Sequence, residues 1–366
     1  MKPVDRKFKR DKKLKESEDK SPYGFVNSFD KDSIKKAFIE AQKKEKMPSF
    51  SLSKIEIHPS NKCPLNCDFC FGKNIHANSK MKITGKVIDK ILNDVKKMKE
   101  NPFIAISGAY TDPFMSPHTK EIIQIIGKHK LKFGIYTNGI VLDEEAMDII
   151  IAAAKKAKSY KPSYISFNIA GLIRSKDFDK VLEKIKIFNN KRKGFEKKLL
   201  INAPILAIFE AEKLKDIIKK LYGAGVDIIK IFTSDKIYDK NFKKSKKVFE
   251  REEEVIKELK QEFPNLKQEL NVDNKGYEKC FIMTCSLSID CEGNVYACSR
   301  VCSPLFKKEF SYGNILNEKF SNIWNGKKHN LLFKALNPDK AKCFDSCCKT
   351  DQVFNILCNN ILKEVN

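Results

Sequence analysis

The sequence predicts an α/β protein: a partial (βα)6 TIM-like barrel followed by a small cysteine-rich domain with a β-hairpin and a helix. Between residues 54 and 235, six short runs rich in β-branched and aromatic residues alternate with five helical patterns. Such alternation is typical of a parallel sheet whose strands are joined by crossover helices. Nine of the 12 cysteines follow residue 279, and the long middle of the chain has none. That distribution indicates two regions of metal or redox chemistry joined by a cysteine-free scaffold.

Each of the first five predicted strands is followed by an amphipathic segment of helical period. The predicted strands are 54–58, 103–107, 133–137, 164–168, 200–206 and 227–233. The predicted helices between them are 87–98, 121–129, 144–157, 178–188 and 211–222. In folds of this kind, the loops after the carboxyl ends of the strands carry the chemistry.

Four segments are predicted along the chain. Residues 1–50 form a basic N-terminal extension with a short amphipathic stretch at 33–42, and residues 51–240 form the barrel core. Residues 241–275 are a charged helical connector, and residues 276–366 are the cysteine-rich domain. In that last domain, strands 286–290 and 294–298 flank a turn at Gly293, and a helix is expected over 319–336.

The strong positive charge does not by itself indicate a nucleic-acid-binding protein. The chain has 71 Lys+Arg against 47 Asp+Glu, but only six of the basic residues are arginine, and the charge is spread along the sequence. Nucleic-acid surfaces favour clustered arginine forks, so nucleic acid is not the expected partner. The apolar runs are too short to span a bilayer, and the charged N-terminus lacks a signal core. We therefore expect a cytoplasmic protein with reduced thiols and no membrane partner.

The first cysteine cluster is Cys63, Cys67 and Cys70, directly after the first predicted strand. A [4Fe–4S] cube takes four ligands, so three thiolates on one loop leave one iron open for a further ligand. A structural zinc loop is the alternative, and it would need a fourth protein ligand.

The chain resembles the radical S-adenosylmethionine (SAM) enzymes at four places. The spacing Cys63-x3-Cys67-x2-Cys70, with Phe69 before the last cysteine, is similar to the signature of that family. Residues 107–117 resemble the family's Gly-Glu-Pro segment, although Asp112 replaces the usual Glu and Thr111 replaces a Gly. Residues 137–139 and 166–171 resemble the family's segments at the ends of strands three and four.

The resemblance implies a cofactor site at these positions. Cys63, Cys67 and Cys70 would ligate the cluster, whose fourth iron would be chelated by SAM. Phe69 would pack near the adenine, and the backbone of 108–112 would accept hydrogen bonds from the methionyl ammonium. The implied SAM-binding residues are Phe69, Gly108, Thr111, Asp112, Pro113, Ser166 and Asn168. No general base or other catalytic side chain is implied.

The resemblance also implies an activity. One electron, from a low-potential donor such as flavodoxin or ferredoxin, would allow SAM to be cleaved to methionine and a 5′-deoxyadenosyl radical. That radical would abstract hydrogen from a carbon of the substrate. Within such a reaction, the cofactor supplies the difficult chemistry, and the protein positions the reactants and excludes water.

The second cysteine cluster resembles the SPASM and twitch domains, which bind auxiliary iron–sulfur clusters. Residues 312–315 and 321–324 also match the usual composition of such domains. The implied ligands of one auxiliary [4Fe–4S] cluster are Cys280, Cys298, Cys343 and Cys347, and Cys348 is an alternative to either of the last two. The remaining cysteines are either small buried apolar residues or ligands of a second auxiliary cluster: Cys285, Cys291, Cys302 and Cys358. A zinc site is the alternative for the whole set.

Three functions are compatible with these motifs. The first hypothesis is oxidation of a small sugar-like or cyclitol-like metabolite, favoured by a single auxiliary cluster and by an N-terminal segment expected to be too short for a leader-peptide-binding domain. The alternative is maturation of a ribosomally synthesised peptide by crosslinking or epimerisation. A zinc-stabilised nucleic-acid-binding protein is a distant third. His58, His118 and Arg174 are weaker site candidates, for which scaffold or surface roles are the default.

Overall fold

The structure, a computed structural model, contains one mixed sheet with helices packed on it. It describes residues 29–67, 70, 79–108, 111–173, 175–207, 211–233, 246–268, 277–299, 301, 310–338, 347 and 349–365. Within these ranges the sheet has ten strands in the order β10-β9-β8-β1-β2-β3-β4-β5-β6-β7. The predicted α/β class is confirmed.

Strands β1 to β8 run parallel to one another. At one edge β9 pairs antiparallel with β8, and β10 pairs antiparallel with β9. The first seven are β1 (Lys54–Ile57), β2 (Phe103–Ile106), β3 (Phe133–Thr137), β4 (Ser163–Phe167), β5 (Leu199–Ala207), β6 (Ile228–Thr233) and β7 (Leu266–Gln268). The last three are β8 (Ser286–Ile289), β9 (Asn294–Tyr296) and β10 (Ser311–Asn314).

Helices connect the parallel strands and frame the cysteine-rich region. The helices up to β7 are α1 (Lys31–Lys43), α2 (Gly85–Lys97), α3 (Thr119–Lys128), α4 (Glu144–Lys156), α5 (Phe178–Lys191), α6 (Ala211–Gly223) and α7 (Lys246–Glu262). Those after β10 are α8 (Phe320–Ile323), α9 (Lys327–Ala335) and α10 (Lys349–Val365). Single 3-10 turns lie at Pro113–Met115 and Ile282–Thr284.

One long predicted helix is two short ones in the structure. The sequence predicts a helix over 319–336, but α8 ends at Ile323 and α9 begins at Lys327. Between them Asn325 has φ +60°, which is a left-handed conformation that an α-helix does not accommodate. The single-helix prediction is therefore wrong at this break.

The main core lies between the sheet and the crossover helices. Alternate strand residues such as Ile55, Ile57, Ile104 and Ile106 are buried in it. Their neighbours along each strand point to the other face, because successive side chains of a strand alternate. The side of the sheet that faces away from the helices is consequently lined by the residues between the isoleucines, Glu56 and Ala105 among them.

The cysteine-rich region continues the same sheet. Strand β8 pairs in parallel with β1, so that Glu56 lies opposite Ser288 and Ile57 opposite Ile289. A second apolar cluster lies beside it, in which Phe38 of α1 packs against Phe281, their ring centroids 5.1 Å apart. Helix α1, from the segment predicted as an extension, therefore packs on the C-terminal region, while the four-segment division itself stays a prediction.

Candidate functional site

The loop after β1 carries the first three cysteines. The backbone N–H of Cys70 donates to the carbonyl of Cys67 at 3.0 Å, which closes the loop on itself. The Cys63 thiol accepts from the Leu65 N–H at 3.4 Å and from the Asn138 side-chain amide at 3.6 Å. Partial burial raises the pKa of the Cys63 thiol, and nearby Asp112 and Cys70 raise it further. The structure therefore connects the cysteine loop to the end of β3.

The segment after β4 touches the same loop. A Cβ at Gly171 would lie 2.3 Å from the Cys67 sulfur and 3.1 Å from Leu65 Cδ1. These distances are far below a van der Waals contact, so only glycine permits this approach. The glycine thus lets the segment after β4 pass beside one thiol of the cysteine loop, and thiolates are the ligands that iron–sulfur clusters take. Among the described residues, no three Cys, His, Asp or Glu side chains are grouped closely enough to hold a metal ion.

Asp112 connects the loops that follow three neighbouring strands. It is 1% exposed, and its own N–H donates to the carbonyl of Lys62 in the cysteine loop at 2.9 Å. One carboxylate oxygen accepts from the Phe114 N–H at 2.9 Å. The other accepts from the Thr137 hydroxyl at 2.8 Å and the Asn138 N–H at 2.7 Å. Burial raises the pKa of Asp112, although these three hydrogen bonds act in the opposite direction. Both oxygens of the carboxylate thus accept hydrogen bonds from the protein itself.

The turn before Asp112 has no room for a side chain at its first residue. A Cβ at Gly108 would lie 1.6 Å from the carbonyl oxygen of Thr111, whose N–H donates back to the Gly108 carbonyl at 2.9 Å. The Thr111 hydroxyl donates to the carbonyl of Ser60 at 3.1 Å. Pro113 is buried and begins the 3-10 turn that Asp112 caps. Of the predicted SAM-binding residues, Gly108, Thr111, Asp112 and Pro113 therefore lie beside the cysteine loop.

The other predicted residues of this site have different positions. Ser166 is buried in β4, whereas Asn168 is exposed just after it and donates its N–H to the Thr137 carbonyl at 2.7 Å. Phe69 and Arg174 lie outside the described residues.

A continuous row of polar side chains crosses the face of the sheet away from the helices. The strand pairings Tyr136–Ser166 and Ser166–Asn202 join β3, β4 and β5. One further step in register extends the row through β2 and β1 to the end of β8. The polar row consists of Asp290, His58, Ser107, Tyr136, Ser166 and Asn202. The polar row lies near the carboxyl ends of these strands, and the cysteine loop follows one of them, β1.

His58 is held by a chain of hydrogen bonds on β1 and β2. The Ser107 hydroxyl donates to Glu56 Oε1 at 2.9 Å, so its oxygen is left to accept from His58 Nδ1, also at 2.9 Å. This assignment puts the proton of the neutral imidazole on Nδ1 and leaves Nε2 as an acceptor. Burial lowers the pKa of His58, outweighing the carboxylates of Glu56 and Asp290, so the neutral form is favoured.

Several buried polar atoms on this face have no hydrogen-bond partner among the described residues. They are His58 Nε2, both amide atoms of Asn202, and the hydroxyl oxygens of Ser286 and Ser288. Buried polar groups are normally hydrogen-bonded, and leaving one unpaired costs roughly 1–3 kcal/mol. The face is therefore suited to contact a further polar group.

Three predicted ligands of the second cysteine region lie in or against one apolar cluster: Cys280, Cys298 and Cys347. Burial raises the pKa of the Cys347 thiol; Asp351 raises it further, as do Cys280 and Cys298. The Tyr277 hydroxyl donates to the Cys347 sulfur at 3.3 Å and acts in the opposite direction. Cys343, the fourth predicted ligand, and its alternative Cys348 lie outside the described residues, as does Cys302.

The remaining described cysteines are buried in apolar surroundings. Cys285 is 0% exposed and donates its thiol to the Ile282 carbonyl at 3.4 Å. Burial raises the pKa of the Cys358 thiol, which belongs to the same apolar cluster. Cys291 is also buried, and its carbonyl accepts from the Lys82 N–H at 2.7 Å. All three are buried, as is the predicted ligand Cys280, so the choice between small apolar residues and ligands of a second cluster stays a prediction.

Three residues near the candidate sites were not singled out by the sequence. Gly171 stands in the segment that resembled the family, but its contact with Cys67 needs the fold. Tyr277 lies 70 residues from Cys347, and Asn355 lies 75 residues from Cys280. No local pattern predicts pairs so distant, and the polar row also needs the strand register.

Comparison with known proteins identifies both regions. Residues 57–195 match the radical SAM superfamily, and residues 280–349 match SPASM, an iron–sulfur cluster-binding domain. A curated relative is the antilisterial bacteriocin subtilosin biosynthesis protein AlbA of Bacillus subtilis (strain 168). It is 24% identical over 336 residues, which cover 84% of this chain and 66% of AlbA. The chain thus spans just under two thirds of that relative's length.

Solved structures share the fold. Streptococcus suis SuiB bound to S-adenosylmethionine has a TM-score of 0.61 at 17% identity, over 87% of this chain and 75% of SuiB. SuiB bound to its precursor peptide SuiA gives 0.60 at 16% identity, over 87% and 76%. The protein anSMEcpe, with bound AdoMet and the Cp18Cys peptide, gives 0.53 at 14% identity, over 85% and 96%. Among the described residues, no helix combines the length and apolarity needed to cross a membrane.

The two domain matches fall on the two cysteine regions described above. The first runs from the last residue of β1 to just beyond α5 and includes the cysteine loop, Asp112 and Gly171. The second includes Cys280, Cys298 and Cys347. The chain therefore belongs to the radical SAM superfamily and carries a C-terminal SPASM domain, and its cofactors are S-adenosylmethionine and [4Fe–4S] clusters.

Proposed function

We propose that this radical SAM enzyme modifies a ribosomally synthesised peptide, by forming a crosslink or by epimerisation. The observation that carries the proposal is the relationship to AlbA, a bacteriocin biosynthesis protein, which extends over 84% of this chain. Structures that share the fold include SuiB with a precursor peptide and anSMEcpe with a peptide. These comparisons favour the peptide hypothesis over oxidation of a sugar-like or cyclitol-like metabolite. The iron–sulfur domain leaves the zinc hypothesis without support.

The first cofactor site is assigned to Cys63, Cys67 and Cys70 as cluster ligands. When bound and reduced, the cluster with SAM supplies a 5′-deoxyadenosyl radical that abstracts hydrogen from substrate carbon. The electron is assigned to a low-potential donor such as flavodoxin or ferredoxin. Around this site the protein's own contribution is to fix positions and to exclude water.

Binding of SAM is assigned to the loops that Asp112 holds together. The backbone at Gly108 and at Thr111 lies close to the cysteine loop, where the methionyl ammonium needs acceptors. Asn168 is exposed beside it, and Ser166 lies below on β4. Phe69 and Pro113 complete the proposed set, with Phe69 against the adenine. Asp112 acts through the loops it positions, since its carboxylate is already bound by the protein.

The auxiliary cluster is assigned to Cys280, Cys298 and Cys347, with Cys343 as the fourth ligand. The buried polar groups of Asn202 and His58 suit a substrate residue that enters over the polar row. A peptide offers matching partners, because each of its residues carries an amide donor and a carbonyl acceptor. A neutral His58 Nε2 would accept a hydrogen bond from such a donor.

The test uses anaerobically reconstituted protein and the peptide encoded by the short reading frame nearest the gene. We expect about eight irons in wild type and about four in the variant Cys63→Ala/Cys67→Ala/Cys70→Ala, as one cube at each site requires. Under reduction, only wild type should form 5′-deoxyadenosine and change the mass of the peptide.

Two results would contradict the proposal. If the peptide mass stays unchanged while a cyclitol or sugar alcohol is oxidised, the small-metabolite hypothesis replaces it. If wild type and the triple variant contain equal iron, the assignment of the first site is wrong. A variant with Cys285→Ala is the matched control, since its buried thiol is outside the proposed ligand set.

A further inference from the structure

A tyrosine hydroxyl is directed at one proposed ligand of the auxiliary cluster. Tyr277 is 5% exposed, and its hydroxyl donates to the sulfur of Cys347 at 3.3 Å. A thiol or thiolate accepts such a bond within about 4 Å of the donor, so the contact is a hydrogen bond rather than packing alone. It joins the start of the SPASM region to its far end.

Helix α10 fixes both sides of this contact. Asn355 is 0% exposed; its carbonyl oxygen accepts from the N–H groups of Phe281 and Ile282, at 2.6 and 3.1 Å. Its amide nitrogen lies 3.9 Å from the Cys280 sulfur. One turn earlier, the Gln352 amide donates to the carbonyl of Cys347 at 3.2 Å. The helix therefore holds the segments of two proposed ligands in one frame.

Polar side chains on the buried face of a helix are normally held there by hydrogen bonds. Asn359 extends the same face and bonds both backbone groups of Lys279, at 3.0 and 2.8 Å. Gln352, Asn355 and Asn359 thus bind backbone near the cysteines with fixed geometry. This rigidity keeps the Tyr277 hydroxyl and the Cys347 sulfur at hydrogen-bonding distance.

A hydrogen bond to a ligand sulfur changes the energetics of the cluster that the sulfur binds. Reduction adds negative charge, part of which resides on the sulfur atoms. A donor directed at that sulfur stabilises the reduced state more than the oxidised state, so it raises the reduction potential. In a buried site the effect is larger than in water, because the local dielectric constant is lower.

We propose that Tyr277 is a positioning residue that raises the reduction potential of the auxiliary cluster through its hydrogen bond to Cys347. The inference rests on the proposed ligand set, in which Cys347 binds that cluster. It assigns a redox role to a side chain outside the cysteine set.

The test measures the midpoint potential by EPR-monitored redox titration. The full chain carries Cys63→Ala/Cys67→Ala/Cys70→Ala, so that the auxiliary cluster alone gives the signal. Tyr277→Phe removes the hydroxyl and keeps the ring. We expect unchanged iron content and a more negative potential; a tenfold change in the reduction equilibrium corresponds to about 59 mV for one electron.

The matched control is Tyr222→Phe, which removes another buried hydroxyl at the opposite edge of the sheet, where Tyr222 stacks on Phe263. Its potential should equal that of the parent. Site-specific 3-fluorotyrosine at position 277 makes a stronger donor without loss of volume and should shift the potential upward.

Equal potentials for the parent, Tyr277→Phe and the fluorotyrosine protein would overturn the inference. If Tyr277→Phe loses the cluster, the potential of the fluorotyrosine protein tests the inference instead. An unshifted potential in that protein would mean that Tyr277 has only a structural role. Cys347→Ala separates this inference from the proposed function: retention of all auxiliary iron would overturn the role of Tyr277, while peptide modification by wild type would still stand.

Discussion

Two buried histidines differ in how fully their nitrogens are bonded. His329 is 0% exposed; its Nδ1 accepts from the Asn325 N–H at 3.2 Å, and its Nε2 lies 2.8 Å from the Met283 carbonyl. Tyr312 stacks on its ring with centroids 4.2 Å apart. Both nitrogens of His329 are thus used in structure. His58 uses only Nδ1, which is why it belongs to the candidate site and His329 does not.

The buried His329 should make stability depend on pH. Burial lowers its pKa to about 4, whereas an unfolded histidine titrates near 6.5. The stability that neutral His329 contributes is fully present above the pKa that this histidine has in the unfolded state. It is lost as pH falls towards the pKa of the folded state, because protons then bind the unfolded state preferentially. At pH 5 the loss is about 2 kcal/mol. Denaturant unfolding of wild type and His329→Gln at pH 7 and pH 5 checks this, and equal pH dependence of the two would contradict it.

Replacing the Asp112 carboxylate by the corresponding amide should destabilise the protein. In Asp112→Asn, one acceptor oxygen becomes an NH2 group that faces an N–H or hydroxyl donor. We expect a loss of about 1–3 kcal/mol in the free energy of unfolding and weaker SAM binding. Asp148→Asn is the control, because Asp148 is an exposed partner of Lys191, and exposed pairs contribute about 0–1 kcal/mol. Equal effects of the two substitutions on stability and on SAM affinity would show that Asp112 does not hold the loops.

At the scale of elements, the contact between two loops predicts a selective loss of one cluster. Gly171→Ala would place its Cβ 2.3 Å from the Cys67 sulfur, which forces the cysteine loop away from the segment after β4. We expect iron to fall from about eight to about four per chain, with the auxiliary EPR signal unchanged. Gly223→Ala is the control, since a Cβ there meets nothing within 4 Å. Full iron in Gly171→Ala would mean that the loop adapts.

The regular elements could be predicted where periodicity was strong. Strand β3 lies at the predicted 133–137, and α4 begins at Glu144, where Asp143 caps it by accepting from the Ala146 N–H at 2.8 Å. The sequence missed β7 and β10, which have three and four residues and give no alternation to recognise. It also missed α10, because Asn355 and Asn359 lie on its buried face and blur the apolar stripe.

The candidate site could be predicted only in part, for a related reason. The cysteine loop and the segment at Gly108 are local patterns, so the sequence could propose them as a site from their spacing together with the neighbouring segments. The polar row draws one residue from each strand, and its existence depends on register across six strands. Tyr277 and Asn355 act on cysteines 70 and 75 residues away. Such contacts follow from tertiary structure and leave no trace in neighbouring residues.

At the scale of the whole molecule, one sheet carries both cofactor regions. The parallel pairing of β8 with β1 places the end of the hairpin strand beside the strand that leads into the cysteine loop. The backbone N–H of His58 donates to the Ile289 carbonyl at 2.9 Å, which directly joins these two strands. The two regions therefore share a rigid connection, while the second apolar cluster supports the SPASM side alone.

That second cluster predicts a separable effect of helix α1 on the auxiliary site. Phe38 is 2% exposed and packs on Phe281, the neighbour of the proposed ligand Cys280, while α1 lies against α10. Phe38→Ala removes a buried aromatic ring, a change that typically costs about 3–5 kcal/mol. We expect the auxiliary EPR signal to disappear at a lower temperature than in wild type, with the first cluster less affected. Ile39→Ala is the control from the same helix, since Ile39 is 42% exposed. If Phe38→Ala releases both clusters at the same temperature, α1 supports the molecule as a whole; if it changes neither, α1 is a dispensable addition to the SPASM region.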